Sequence, residues 1–553
     1  MENLEFEDIL LELGDFGPYQ RNLMIIFLLP ASFILPWLTM NMIFMVTLPE
    51  HWCNVPEVAA SNLSIELQRS LISPATESSC RMRDLNYTDL LMSDGPLVVP
   101  ENASTKPCDN GWLYDTSEYD STIATQWDLV CDDYHYVSFV LLWWGLGTII
   151  ATPVYGALSD KIGRRLVFFV VAFVAAVSSV ASVLVKDFTA FIILKTIHGF
   201  LKPSLFQLPF IIVLELVAPA KRTRMNGMSC IIWSVGAFFV PLIAYLTHGW
   251  IANGLFSSAV TFIFFAYWKF IPESPRWLVS KHRYDEAVDI LAEIGEKNGK
   301  PQDRKILLSK LKKLGEKMVR DKEFSGSKHS TLDLLKYPQL RKTFIIVSIC
   351  WIADVFAYDG LQLNVINLSG NEFLNFFLLI LAEIPGYMTS WYLMDRIGRR
   401  WCTAVGFLLT GLICFLPIFR FPHVDLISSI IGKYLGAAAY MATYQQSSEL
   451  YPTVVRSLGM GMSSSVAAVV SLIVPYIVYF SIYGKAIPFV IIGFLCLIAG
   501  VLATLLPESL NENLPQSIQD REEFGKDQKF FSFNRKRPIC EERAESFKMK
   551  HSS

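Results

Sequence analysis

The sequence predicts an all-α membrane protein in which twelve transmembrane helices form two six-helix bundles. Three observations carry this. Of 553 residues, 52% are hydrophobic and only 18% charged, which is too apolar and too long for one soluble core. Apolar runs of about 20 residues, the length a helix needs to cross roughly 30 Å of hydrocarbon, fall near 21–47, 136–158, 166–185, 189–217, 225–247 and 250–271, then near 343–365, 372–394, 401–420, 424–447, 458–482 and 486–506. Finally, the chain repeats itself. Asp160-Lys161-Ile162-Gly163-Arg164-Arg165 returns 235 residues later as Asp395-Arg396-Ile397-Gly398-Arg399-Arg400. At nearly the same offset, Glu215-Leu216 with Arg222 and Gly227 returns as Glu449-Leu450 with Arg456 and Gly461, and Pro272-Glu273-Ser274 as Pro507-Glu508-Ser509. Three matches in register mean duplication, so each half is read as one unit.

Taken in order, residues 1–20 are acidic and lack the basic start and cleavage site of a signal peptide, so the first helix is expected to serve as an uncleaved targeting signal. The first six helices occupy 21–275. Within them, 48–134 is a long hydrophilic insert with three glycosylation acceptors, Asn62, Asn86 and Asn102. Asn367 also opens a sequon but stands beside a helix end. The insert holds Cys53, Cys80, Cys108 and Cys131, an even number that predicts two disulfides in an oxidising compartment, with three pairings open.

The linker 276–342 is polar, and Tyr284, Ala287, Ile290, Leu291 and Ile294 recur at helical spacing, which predicts short amphipathic helices. The second six helices occupy 343–510, and 511–553 is a charged tail read as disordered. Basic clusters at 161–165, 221–224 and 396–400, with Arg456, share the face that carries both termini. By the excess of Lys and Arg on cytoplasmic loops, that face is cytoplasmic and 48–134 lies outside.

With the paired Asp-x-x-Gly-Arg-Arg loops, Pro272-Glu273-Ser274-Pro275-Arg276-Trp277-Leu278 and twelve spans in view, the chain resembles the major facilitator superfamily. The Cys-rich insert, its closing Gln126-Trp127-Asp128-Leu129-Val130-Cys131, and Glu449-Leu450-Tyr451-Pro452-Thr453-Val454-Val455-Arg456 resemble the organic cation, anion and zwitterion transporters. The opening Gly14-Asp15-Phe16-Gly17-Pro18-Tyr19-Gln20-Arg21 and Pro49-Glu50-His51-Trp52-Cys53 look like the organic cation and carnitine branch.

The resemblance implies alternating access at the plasma membrane, with a substrate cavity between two rocking bundles. It also implies a cytoplasmic gate. Asp160 and Asp395 would meet helix N-termini of the opposite bundle, and Arg164, Arg165, Arg222, Arg399, Arg400 and Arg456 would pair with Glu215, Glu273, Glu449 and Glu508 to close the inner side.

Charges inside apolar helices mark cavities or buried partners. Helix seven carries Trp351, Asp354, Tyr358 and Asp359, and helix eight carries Glu383. Trp351, Asp354 and Tyr358 recur at three and four residues, which puts an acid between two aromatics on one face, as an ammonium requires. Asp354 is therefore the expected counter-charge. Glu383 is expected in an ion pair, with Lys202 or Lys433 as partner. In the family, the position twelve beyond the arginine of Glu-Leu-Tyr-Pro is Asp in cation carriers and Arg in anion and carnitine carriers. Here it is Ala468, which leaves organic cation ahead of carnitine-like zwitterion.

The expected partners are such a solute, the bilayer and a possible coupling ion, Na+ or H+. A net charge of −3 with no basic surface argues against nucleic acid. Metal-ligand spacings, nucleophile motifs and phosphate-binding loops do not stand out, so an enzyme, a metal or a cofactor is not expected. Alternatives of the same fold are an organic anion or sugar porter, or a non-transporting receptor or scaffold. A sugar porter would be expected to show a Gln-rich motif in helix seven, and Trp351 to Asp359 has none.

Overall fold

The computed structural model describes residues 6–528, apart from 15, 75–78, 93–102, 218, 325–332, 453–454, 511, 513–514, 516–517 and 527. Among the described residues ten helices are long and apolar enough to cross a membrane. They are α1 Pro18–Met45, α2 Cys131–Ala151, α3 Arg164–Leu184, α4 Phe188–Leu214, α5 Gly227–Thr247, α6 Trp250–Tyr267, α7 Pro338–Asn367, α8 Glu372–Ile397, α9 Arg399–Phe419 and α11 Leu458–Ile482. Helix α2 continues to Ile162. The two remaining predicted positions are also helical: α10 Val424–Leu450 is long enough but carries Ser428, Ser429 and Lys433 in its first half, and α12 Ile487–Ala503 is apolar but only 17 residues long. Helices suit this environment because each satisfies its own backbone hydrogen bonds where water is absent.

The duplication is visible in the packing. In the first half α2 lies against α4, α3 against α4 and α6, and α1 against α5. In the second half α8 lies against α10, α9 against α10 and α12, and α7 against α11, which is the same pattern. Each half has its own buried core, with Phe27, Phe168 and Phe264 in the first and Phe376, Phe407 and Phe489 in the second. The halves meet where α5 packs on α8 and α2 on α11.

Residues 48–134 form a small domain, and it is not all helical. His51–Cys53 pairs antiparallel with Trp112–Tyr114, and Arg81–Arg83 with Thr105–Pro107. Cys53 is bonded to Cys108 and Cys80 to Cys131, around a core that includes Trp52, Val58, Ile72 and Met82. His51 lies beside Cys80 and Cys131, but sulfurs bonded to each other are not the thiolates a metal takes. Trp127 packs its ring on Phe191 and Trp250 of the first half, at 4.8 and 5.6 Å between centroids, and so anchors the domain there. Asn62 and Asn86 are exposed, while Asn102 lies outside the described residues.

The linker folds as the helices Pro275–Ser280, Tyr284–Lys297, Arg304–Phe324 and Asp333–Lys336. Ala287, Leu291 and Ile294 are buried, and the N-terminal helix Phe6–Glu12 joins the same core through Ile9 and Leu10. Asn298 fastens the two by accepting from the Tyr19 amide at 3.0 Å and donating to the Leu13 carbonyl at 3.0 Å.

Candidate functional site

A cavity of about 270 Å³ lies between the halves. From the first half Trp144, Lys202 and Trp233 line it, and from the second Tyr358, Asp359, Gln362 and Ala468. Helix α7 widens to a π-helical turn over Phe356–Gly360. An inserted residue of this kind rotates the later part of a helix relative to the earlier part, and such turns are frequent at functional sites. The rotation separates the expected cluster. Tyr358 and Asp359 reach the cavity, with Asp359 exposed to it. Trp351 and Asp354, before the turn, are absent from its lining.

Trp351 sets its ring edge-on to Tyr440 and Tyr444 of α10, at 5.7 and 6.2 Å, inside its own half. Asp354 is 1% exposed, with the Thr443 hydroxyl of α10 beside it. The expected face of Trp351, Asp354 and Tyr358 is thus split, and the acid offered to the cavity is Asp359.

Glu383 and Lys433 form an ion pair at 3.1 Å with both side chains fully buried. Lys433 also donates to the Tyr358 carbonyl at 3.0 Å, and Ser234 of α5 donates to the other Glu383 oxygen at 2.9 Å. The pair therefore braces the cavity wall and does not face a solute. Lys202 pairs with neither Glu383 nor Asp354. Its ammonium rests 4.1 Å from the centroid of the Trp144 ring, already in the environment a solute cation would seek. Gln362 is 2% exposed, lines the cavity, and has both amide atoms unpartnered among the described residues. Sequence reasoning missed Trp144, Trp233 and Gln362. Tryptophans in an apolar run carry no distinguishing signal, but Gln362, four residues past Tyr358 in a spanning helix, was visible.

The halves are joined on the side of the small domain. Tyr134 stacks on Tyr479 at 5.5 Å, Ser138 donates to the Pro475 carbonyl at 3.3 Å, and Phe44 stacks on Phe373 at 5.4 Å. Tyr119 of the domain donates to Glu372 at the start of α8, which also accepts from Thr47 at 3.4 Å, and Asn371 donates to Glu118 at 3.1 Å. Burial and the neighbouring Glu372 carboxylate raise the Tyr119 phenol far above its ordinary range, so it remains a donor.

The repeated loops on the opposite face are held by residues of their own halves. Asp160 and Asp395 do not meet the opposite bundle: their side chains are 71% and 64% exposed, and each pairs with the arginine four residues on, Arg164 at 2.7 Å and Arg399 at 3.5 Å. The helix N-termini are served instead by glutamates of the same half. Glu273 accepts from the Arg164 and Arg165 amides at 3.0 and 3.2 Å, and Glu508 from the Arg399 and Arg400 amides at 2.9 and 3.2 Å. Gly163 and Gly398, at φ 110° and 102°, allow this, because a Cβ on either would strike the carboxylate.

Arg164 further pairs with Glu215 at 3.5 Å and Arg399 with Glu449 at 3.3 Å, while Arg456 donates to the Tyr451 carbonyl at 3.2 Å. Arg165 donates to the Trp268 carbonyl at 2.5 Å. Among the described residues, the pairs expected to form a gate are made within a half in this state, in which the two halves are joined on the opposite face. The side chain of Arg222 lies outside the described residues.

Comparison with known proteins fits this architecture. The family described as sugar (and other) transporter matches residues 114–518. The chain belongs to that family. The transporter is 34% identical over 529 residues to organic cation transporter 1 of Caenorhabditis elegans, covering 94% of this chain and 89% of that one. It is 33% identical to the carcinine transporter of Drosophila melanogaster, over 96% and 81% of the two chains. It is 30% identical to the human organic cation/carnitine transporter 2, over 93% of each. Its fold is similar to that of the inward-open xylose transporter XylE from E. coli, with a TM-score of 0.57 at 16% identity over 88% of this chain and 97% of that one. The transporter is thus a multi-pass membrane protein of the major facilitator fold and not an enzyme.

Proposed function

We propose that the transporter moves small organic cations across the plasma membrane by alternating access, with Asp359 as their counter-charge. The observation that carries this is the cavity between the halves, where one carboxylate stands among Tyr358, Trp233 and Trp144. An ammonium leaving water loses hydration that a carboxylate and aromatic faces restore. Relatives named for organic cations, carnitine and carcinine support the same class. Lys202 holds the Trp144 face and gives way when a solute ammonium arrives.

Orientation rests on the same reading. The disulfide-bonded domain, with exposed Asn62 and Asn86, faces the oxidising, glycosylating exterior, and the termini and basic loops face the cytoplasm. The contacts of Tyr119, Tyr134 and Phe44 then form the outer gate, closed here. The repeated loops stiffen each half while the halves rock.

A second reading is favoured by Lys202 and Gln362. A cavity that holds a cation and an unpaired amide opposite an acid also suits an amine-bearing zwitterion, its carboxylate on Lys202. Uptake of labelled cations, zwitterions and anions into cells at varied membrane potential tests both. Cation uptake that grows with inside-negative potential supports the first, saturable zwitterion uptake in excess of cation uptake supports the second, and uptake of anions alone overturns both.

A further inference from the structure

The duplication builds the same niche twice on the face of the repeated loops, and the two copies differ in charge. In the first half Tyr19, Asn22 and Leu23 of α1, Arg165, and 269–272 enclose a niche against the helix Tyr284–Lys297. In the second half the equivalent positions, Gln339, Lys342 and Thr343 of α7, Arg400, and 504–507, enclose one of about 310 Å³ against the short helix Ile518–Glu523 and the turn after it. The first niche mixes signs, with Glu286, Asp289 and Glu293 facing Arg165, Lys269 and Lys297. The second is lined by Lys342, Arg400, Arg521 and Lys526, with no carboxylate in its lining among the described residues.

Two acids nearby, each acting on a guanidinium of the niche, are also held by backbone amides. Glu508 is taken by the amides that open α9, and Glu522 accepts from the Gln339 and Leu340 amides at 2.9 and 3.1 Å. Arg521, 2% exposed, reaches the Thr343 hydroxyl but keeps its Nε without a partner among the described residues. Burial pulls this guanidinium down to about 10 even with Glu522 and Tyr451 nearby. Such a site suits an anion. Leu505 in its lining is 48% exposed, and Val501, one helical turn earlier in α12, is 58% exposed, an apolar strip suited to an acyl chain.

We propose that the niche formed by Lys342, Arg400, Arg521 and Lys526 binds the phosphorylated headgroup of an anionic membrane lipid. Basic pockets beside spanning helices hold such headgroups on the cytoplasmic leaflet, so the lipid's source rests on the orientation proposed above, whereas the binding does not. The lipid would tie the helix Ile518–Glu523 to α7 and α9 of the rocking half.

The test uses the purified full chain and reads binding without transport. Dioctanoyl phosphatidylinositol bisphosphate, inositol trisphosphate and inorganic phosphate are titrated against the wild type, against Lys342→Ala with Lys526→Ala, and against Lys269→Ala from the mixed niche. The two lysines are exposed, so their loss leaves the fold intact. Expected is saturable binding of the dioctanoyl lipid, weakened about tenfold or more in the double variant, since each cation near such a headgroup contributes about one kcal/mol, and unchanged in Lys269→Ala. Equal binding by wild type and double variant overturns the site. Binding of inositol trisphosphate as tight as that of the lipid overturns the lipid assignment in favour of a soluble phosphate. Labelling of Lys526→Cys in intact cells by a membrane-impermeant thiol reagent would place the niche outside, sinking the orientation and with it the cytoplasmic lipid, while leaving any measured binding in place.

Discussion

Asp359 faces the cavity and Asp354 faces the interior of its own bundle, and this divides their expected roles. Asp359→Asn should raise the KM for organic cations about tenfold or more, equivalent to at least ~1.4 kcal/mol of lost binding, at normal surface level. Asp354→Asn should leave KM nearly unchanged; concentration series of uptake in cells expressing each variant separate the two. Ala468 lines the cavity, so Ala468→Asp should strengthen cation uptake and Ala468→Arg should suppress it. The buried pair calls for a different measurement. Lys433→Met strands the Glu383 carboxylate in the membrane interior at a cost of about 3–5 kcal/mol, so thermal unfolding of the purified protein should begin markedly earlier. Adding Glu383→Gln to Lys433→Met should restore most of the loss, and failure to do so would show that the pair is not what stabilises the wall. The presence of acids and aromatics in helix seven was legible from residue type alone. Which acid lines the cavity was not, because spacing assumes a uniform helix and the π-helical turn at Phe356–Gly360 resets the face.

At the scale of elements, the ten long apolar helices were legible because membrane thickness sets their length and backbone satisfaction sets their type. Even α10, polar for a span, showed as an apolar run near 424–447. The disulfides of the small domain were legible in an even cysteine count, but their pairing needed the fold, and its three-residue strands are too short to leave an alternating pattern. Replacing Cys53 or Cys108 by Ser should cost about 2–5 kcal/mol and reduce delivery of glycosylated protein to the surface, read by gel shift after glycosidase treatment. The repeated loops show the limit of motif spacing. It located Asp, Gly and Arg correctly, yet the capping carboxylates come from Glu273 and Glu508, more than a hundred residues on in sequence. A charged group on a helix N-terminus contributes about 0.3–2 kcal/mol. Glu273→Gln and Glu508→Gln should therefore each lower thermal stability modestly and by similar amounts, and a large loss in only one would break the equivalence of the halves.

For the whole molecule, the duplication predicted two like bundles, and their matched packing bears it out. What duplication cannot encode is how the halves meet, since that depends on residues the copies do not share. Tyr119 is one of these. It comes from the inserted domain of the first half and holds Glu372 of the second, so Tyr119→Phe should loosen the outer side and make engineered cysteines near Phe44 more reactive from outside. The central claim is transport of an organic cation against the counter-charge of Asp359. Its most direct test is saturable uptake of a labelled quaternary ammonium into liposomes containing only the purified protein, wild type beside Asp359→Asn. Expected is uptake by the wild type that rises with inside-negative potential, and a KM raised about tenfold or more in the variant. Absence of saturable cation uptake by the wild type, or an unchanged KM in Asp359→Asn, would contradict it.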